Sequence, residues 1–103
     1  MVIFNKLVRD KIPEYLCHKG KKATYEIIED EKKYNGFLKQ KLQEEVTEFL
    51  QDDSLEELAD ILEVIYALVE SKEHSIKDLE NCRIKKLEER GGFKKRIFLF
   101  EVK

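Results

Sequence analysis

Hydrophobic residues recur at helical spacing along most of the chain and predict its first two helices. A short helix is predicted to follow a cap at Asp10 and to end at Gly20. Pro13 is tolerated there, because the first turn of a helix does not need its missing N–H. A long second helix is predicted from about residue 30 to 51, where apolar residues return every three or four positions.

Two further helices are predicted in the second half of the chain. Ser54 is the predicted cap of a helix over about 55–71 that is apolar around most of its circumference, which indicates a central position. Its solvent-facing stripe is Glu56, Glu63 and Glu70. Ser75 and Asp78 resemble a capping box that opens a fourth helix. That helix is predicted to end at the glycine pair 91–92.

The C-terminal tail is rich in β-branched and aromatic residues. Residues 96–102 (RIFLFEV) predict a strand, which could pair with 23–28 (ATYEII) or with the VIF near the start. The predicted fold is therefore all-α, a bundle of about four helices with a small β accessory from the tail. We expect a single domain over 1–103, since this length is too short for two independent cores.

Composition excludes several classes of protein. The 20 Lys and Arg residues against 22 Asp and Glu residues give a net charge of −2, which argues against binding to a nucleic-acid polymer. No run approaches the roughly 18 apolar residues of a membrane helix, and the start lacks a signal-peptide core. Two cysteines, Cys17 and Cys82, are too few for a disulfide framework. We expect a cytoplasmic protein in which both are buried or half-buried thiols.

Acidic residues at core-facing positions are the main functional signal. At about 100° per residue, Glu45 falls inside the apolar stripe of the second helix, Glu48 lies at its edge, and Glu44 points towards solvent. Glu57 and Asp60 fall on the apolar side of the third helix. Four carboxylates that converge in this way suit Mg²⁺, or Mn²⁺, better than Zn²⁺.

A structural explanation of the same residues competes with the metal site. Lys41 lies four residues before Glu45 and is suitably placed to pair with it, and Ser54-x-x-Glu57 has the spacing of a capping box. Basic residues on the fourth helix have a similar alternative, because long side chains often extend along an apolar surface while their charge stays in water.

Four motifs resemble the MazG-like, all-α nucleoside triphosphate pyrophosphohydrolases, a superfamily that includes phosphoribosyl-ATP pyrophosphohydrolase. KLQEEVTEF (41–49) and EELADILEVIYAL (56–68) look like the E-x-x-E and E-x-x-D metal motifs of the family. NKLVRDKIPE (5–14) and KKLEERGGF (85–93) look like a subgroup of predicted house-cleaning pyrophosphatases. The connection FLQDDSLE (49–56) is shorter than in typical MazG proteins.

The resemblance implies Mg²⁺-dependent hydrolysis of a nucleoside triphosphate between its α and β phosphates, which yields a monophosphate and pyrophosphate. It implies that the metal ligands are Glu45, Glu48, Glu57 and Asp60. Glu45 and Glu48 are the predicted catalytic residues, with Glu48 as the acceptor of a proton from the attacking water. The candidate substrate-binding residues are Lys86, Arg90, Lys41, Arg83, Lys6 and Arg9.

The apolar third helix also bears on assembly and on two rival functions. A homodimer or higher homo-oligomer is expected, since three short helices cannot cover the apolar surface of the third helix, and the family builds its pocket at or near a subunit interface. The rivals are a nucleotide- or metal-binding module without catalysis and an interaction protein whose acidic residues have no chemical role. Metal-dependent release of pyrophosphate separates the enzyme from both.

Overall fold

Four helices form the regular structure of residues 2–103, the part of the chain that the computed structural model describes. They are α1 (Ile12–His18), α2 (Glu31–Gln51), α3 (Leu55–Ser71) and α4 (Ile76–Arg90). The fold is all-α, as the hydrophobic periodicity predicts, and the predicted bounds of α2 and α3 are confirmed.

Local capping interactions explain the ends of the longer helices. The Asp30 carboxylate accepts a hydrogen bond of 3.1 Å from a backbone N–H in the first turn of α2. Ser75 and Asp78 exchange reciprocal hydrogen bonds of 2.9 and 3.0 Å, so the predicted capping box of α4 is confirmed. Gly91 ends that helix with a φ of 80°, a conformation that favours glycine.

The first helix begins one residue later than a cap at Asp10 requires, so that prediction is wrong. Lys11 occupies the N-cap position, and no side chain caps the helix there. Pro13 lies in the first turn, as predicted. Gly20, with a φ of 76°, follows the helix and donates a hydrogen bond of 3.0 Å to the carbonyl of Cys17.

Helices α2 and α3 pack against each other as an antiparallel hairpin around the short connection 52–54. At the open end of this hairpin, Asn35 Nδ2 donates a hydrogen bond of 3.2 Å to Ser71 Oγ. The buried apolar residues of the seam are Leu38 and Val64. Helix α4 packs on α3, which confirms the central position that the composition of α3 predicts.

The predicted β accessory is not formed within residues 2–103. Neither 23–28 nor 96–102 is a strand, and the large apolar side chains of the tail are exposed, Phe100 to 89%. A strand is stable only when its backbone N–H and C=O groups pair with a neighbour, and the tail meets no such neighbour in the described chain. The high β propensity of the tail therefore produces an extended segment without a sheet.

Both cysteines differ from the sequence expectation. Cys17 and Cys82 are free and exposed, because each lies on a helical surface that no other element covers.

None of the helices described between residues 2 and 103 combines the length and the apolar character that crossing a membrane requires.

Replacement of Leu38 by Ala should destabilise the hairpin. Leu38 is only 5% exposed, and removal of a buried leucine side chain costs about 2–3 kcal/mol when the neighbours cannot close the cavity. The control is Leu50→Ala at the end of α2, where the side chain is 75% exposed and a change within about 0.5 kcal/mol is expected. Urea denaturation measures both. Equal losses in the two variants would contradict the placement of the core at this seam.

Candidate functional site

Glu45 is a charged residue buried by the packing of α2 on α3. It is 7% exposed and lies on the same helix as buried Leu38, two turns further on. One of its oxygens, Oε1, is 3.2 Å from Lys41 Nζ, whereas the buried Oε2 has no hydrogen-bond partner. A buried carboxylate oxygen without a partner is costly, because the water that solvated it is not replaced.

Two acidic residues from the start of α3 meet Glu45. Ser54 Oγ accepts a hydrogen bond of 3.3 Å from the backbone N–H of Glu57, which begins the helix and leaves the Glu57 carboxylate unused by the cap. Carboxylate oxygens of Glu45, Glu57 and Asp60 lie within 4.8 Å of one another. We call these three residues the carboxylate cluster. Helical spacing on two helices joined by a short turn predicts this convergence.

Burial and mutual repulsion disfavour the charged forms of Glu45 and Glu57. Burial raises the pKa of Glu45, and the neighbouring Glu48 carboxylate raises it further, against the effect of Lys41. The pKa of Glu57 is also raised, by desolvation and by the charges of Asp60 and Glu45. Its Oε2 is buried and has no hydrogen-bond partner either. A cation among these oxygens would oppose both effects.

Glu48, the fourth predicted ligand, is half-buried and lies outside the cluster of three. It is one turn from Glu45 and close enough to raise the pKa of that residue. The helical spacing predicts Glu48 at the edge of the apolar stripe, and its half-buried position beside the cluster agrees with that prediction.

Lys41 occupies the position that the structural explanation requires. Its ammonium pairs with Glu45 and also lies 3.4 Å from Glu44 Oε2. This pairing accounts for one oxygen of Glu45, and the cap at Ser54 accounts for the backbone of Glu57. The two orphan Oε2 atoms, on Glu45 and Glu57, are explained by neither interaction.

The expectation that Glu44 points into solvent is wrong. Its side chain is 26% exposed and its Oε1 lies 2.5 Å from Lys6 Nζ. Burial alone would raise the pKa of Glu44, but Lys6 and Lys41 together hold it below its ordinary value. The i, i+3 spacing of Lys41 and Glu44 could have indicated the contact between these two residues. No local pattern indicates the contact of Glu44 with Lys6, which lies 38 residues away in the sequence.

The basic residues near the start of the chain also reach α3. Arg9 Nη2 lies 2.6 Å from Asp60 Oδ1, across 51 residues of sequence. The structure therefore brings Lys6 and Arg9, two predicted substrate-binding residues, to the side of the hairpin that carries the carboxylates.

The structure does not bring the cations of α4 to the cluster. Arg83 pairs with Glu80 on its own helix, with Nε 3.1 Å from both carboxylate oxygens. Lys86 and Arg90 are exposed, and no ion pair or hydrogen bond within the described chain connects them to α2 or to the start of α3. In one copy of the chain these three residues and the carboxylates are separate features.

Comparisons with known proteins return no assignment for this chain. No family model matches it, and no curated protein or solved structure shows significant similarity.

The substitution Glu45→Gln should stabilise the metal-free protein near neutral pH or leave its stability unchanged. The raised pKa means that ionised Glu45 costs folding free energy above its folded pKa. The cost disappears as the pH falls towards the ordinary value of about 4.5, where the unfolded chain is protonated too. Any melting-temperature advantage of the variant in EDTA should therefore be largest near pH 7.5 and vanish towards pH 4.5.

The matched control for this measurement is Glu56→Gln, on the exposed side of the same hairpin and outside the carboxylate cluster, which should change the melting temperature little. A Glu45→Gln protein that melts clearly lower near pH 7.5 would show that the pairing with Lys41 outweighs the repulsion among the carboxylates.

Proposed function

We propose that this protein is a Mg²⁺-dependent nucleoside triphosphate pyrophosphohydrolase of the MazG-like type. One observation carries the proposal: three carboxylates from two helices meet within 4.8 Å, and two of them present a buried oxygen that no group of the chain satisfies. Such an oxygen is stabilised either by protonation or by a cation. The motifs around these residues supply the reaction by resemblance.

The chemistry of the donors fits a hard divalent cation. The cluster offers only carboxylate oxygens, which suit Mg²⁺ and Mn²⁺, and contains no thiolate or imidazole that would favour zinc. Glu45, Glu57 and Asp60 would hold the ion, and Glu48 would complete the set from the edge of the site. Bound there, Mg²⁺ would offset the charge of the triphosphate and lower the pKa of the attacking water.

The side chains around the cluster would supply a proton acceptor and positive charge for the reaction. Glu48 is half-buried beside it and would accept the proton of the water whose oxygen bonds to phosphorus. That phosphorus belongs to the anhydride between the α and β phosphates, and its bond to the bridging oxygen then breaks. The bridging oxygen leaves with the other phosphate group, and the products are the nucleoside monophosphate and pyrophosphate. Lys6 and Arg9, which pair with Glu44 and Asp60, would offset the charge of the departing pyrophosphate.

Lys86 and Arg90 would contribute to the same site from a second copy of the chain or after a movement of α4. Both are exposed near the glycine pair at the end of that helix. Nucleotides in the cytoplasm are the proposed substrates, with a house-cleaning role towards damaged or non-standard triphosphates.

Loss of one cluster carboxylate should abolish turnover. Glu57→Gln keeps the shape of the side chain and removes a negative charge, so Mg²⁺-dependent release of pyrophosphate should fall at least about 100-fold, given the several kcal/mol that a catalytic metal contributes. The assay screens ordinary and damaged nucleoside triphosphates. The neighbouring exposed residue supplies the control, Glu56→Gln, which should retain full activity.

The outcomes of that assay separate the rival functions. Tight nucleotide binding without pyrophosphate release by the unmodified protein would assign a binding module instead of an enzyme. Absence of both metal and nucleotide binding would leave the interaction protein. Equal activity of the Glu57 and Glu56 variants would remove the cluster from the mechanism.

We also propose that the working form is a homodimer or higher homo-oligomer. The chain exposes 9950 Å², whereas a compact monomer of 12.3 kDa exposes about 6,100 Å². The excess of about 3,900 Å² per chain is larger than the roughly 1,000–2,500 Å² that an obligate interface takes from each partner, and the exposed start and tail of the chain account for part of it. Apolar residues at helical spacing on α3, Leu55, Leu58 and Leu62, are 82%, 46% and 45% exposed, which places part of this surface on the central helix.

Light scattering at micromolar concentration should give a mass of at least twice 12.3 kDa. Leu62→Asp should shift the protein towards the monomer, because a charge in an apolar interface loses its hydration. Glu63→Gln on the adjacent exposed side should not change the mass. A stable monomer of the unmodified chain would refute the assembly without affecting the assignment of the carboxylate cluster.

A further inference from the structure

The segment before α1 is attached to the α2–α3 hairpin by two ion pairs from one short stretch of chain. Lys6 Nζ lies 2.5 Å from Glu44 Oε1 on α2, and Arg9 Nη2 lies 2.6 Å from Asp60 Oδ1 on α3. Helix α1 itself does not pack on another helix of the described chain. We call residues 5–11 the N-terminal strap.

The two cations of the strap contact different carboxylates. Lys6 pairs with Glu44, which lies outside the carboxylate cluster, whereas Arg9 pairs with Asp60, which belongs to it. A guanidinium and a divalent cation at Glu45, Glu57 and Asp60 therefore draw on the charge of the same carboxylate.

The pair between Arg9 and Asp60 is suited to exchange. Their side chains are 57% and 37% exposed, so water solvates both groups when they separate. The pair between Lys41 and Glu45 is the opposite case, with exposures of only 17% and 9%. A competing cation should therefore separate Arg9 from the cluster and leave Lys41 in place.

We propose that Arg9 is an exchangeable counter-ion of the carboxylate cluster, which a divalent cation displaces from Asp60 and which then becomes a donor to the phosphate oxygens of the nucleotide. The inference rests on the proposed function, since it takes the cluster as the metal site. The planar guanidinium can bind a phosphate through two parallel hydrogen bonds, which a single point charge cannot. Cation binding and phosphate binding are then positively coupled through Arg9, and the coupling is reciprocal.

The affinity for Mg²⁺ tests the exchange. If Arg9 competes with the cation for Asp60, removal of Arg9 should raise the affinity, whereas if Arg9 holds Asp60 in place for the cation, its removal should lower the affinity. In calorimetric titration of the full chain with Mg²⁺ alone, Arg9→Gln should bind about two- to fivefold more tightly than the unmodified protein, the range expected for removal of an exposed competing pair. Lys11→Gln removes the same charge from the strap at an exposed residue without an ion pair in the described chain, and should leave the affinity closer to that of the unmodified protein. A loss of about tenfold or more in Arg9→Gln would make Arg9 a support of Asp60 and overturn the proposal.

Trypsin provides a second measurement on the unmodified chain, independent of whether a variant folds. The protease must take the Arg9 side chain into its own acidic pocket, so cleavage after Arg9 requires that this side chain leave Asp60. Addition of Mg²⁺ should accelerate this cleavage relative to cleavage after Arg96 in the exposed tail, which serves as the internal reference. A slower or unchanged rate after Arg9 would contradict displacement.

The two measurements also separate this inference from the proposed function. If the unmodified protein binds Mg²⁺ but Arg9→Gln does not bind it more tightly, the exchange is refuted and the metal site stands. If the unmodified protein does not bind Mg²⁺, the metal site and the exchange are both refuted.

Discussion

The packing of α2 against α3 is the interaction on which the rest of the structure depends. It buries the apolar residues Leu38 and Val64, and it removes Glu45 from water in the same seam. Hydrophobic burial favours the hairpin, whereas the desolvated carboxylate opposes it. Because Glu57 and Asp60 enter from the facing helix, the repulsion is concentrated at one place. The same packing that forms the core therefore also creates the carboxylate cluster.

The cations of the chain offset this charge in two different ways. Lys41 belongs to α2 and is held beside Glu45 in a largely buried pair. Lys6 and Arg9 come from a segment without regular structure and form more exposed pairs with Glu44 and Asp60. The first arrangement lies within one helix and offsets part of the cost of burying Glu45. The second attaches the N-terminal strap through pairs that are more exposed to water than the pair of Lys41 with Glu45.

The single chain is more extended than a compact domain and leaves large apolar side chains exposed. A radius of gyration of 18.0 Å exceeds the roughly 13 Å of a compact domain of this length. The apolar tail, the leucines on α3 and the basic end of α4 are all left exposed by the single chain. In the proposed assembly, the contacts that cover the leucines would also decide whether Lys86 and Arg90 face the carboxylate cluster.

Local rules were sufficient to predict most of the helical structure and the position of the carboxylates from the sequence. Caps at Ser54 and at Ser75 act within one turn, and helical periodicity together with a short connection places Glu45 opposite Glu57 and Asp60. The tertiary structure decided what depends on distant partners. Glu44 turned out to bind Lys6, Arg9 reached Asp60, and the tail, although rich in strand-forming residues, found no strand to pair with. Capping and periodicity involve neighbours along the chain, whereas ion pairs across 38 or 51 residues and sheet pairing depend on how the elements meet in space.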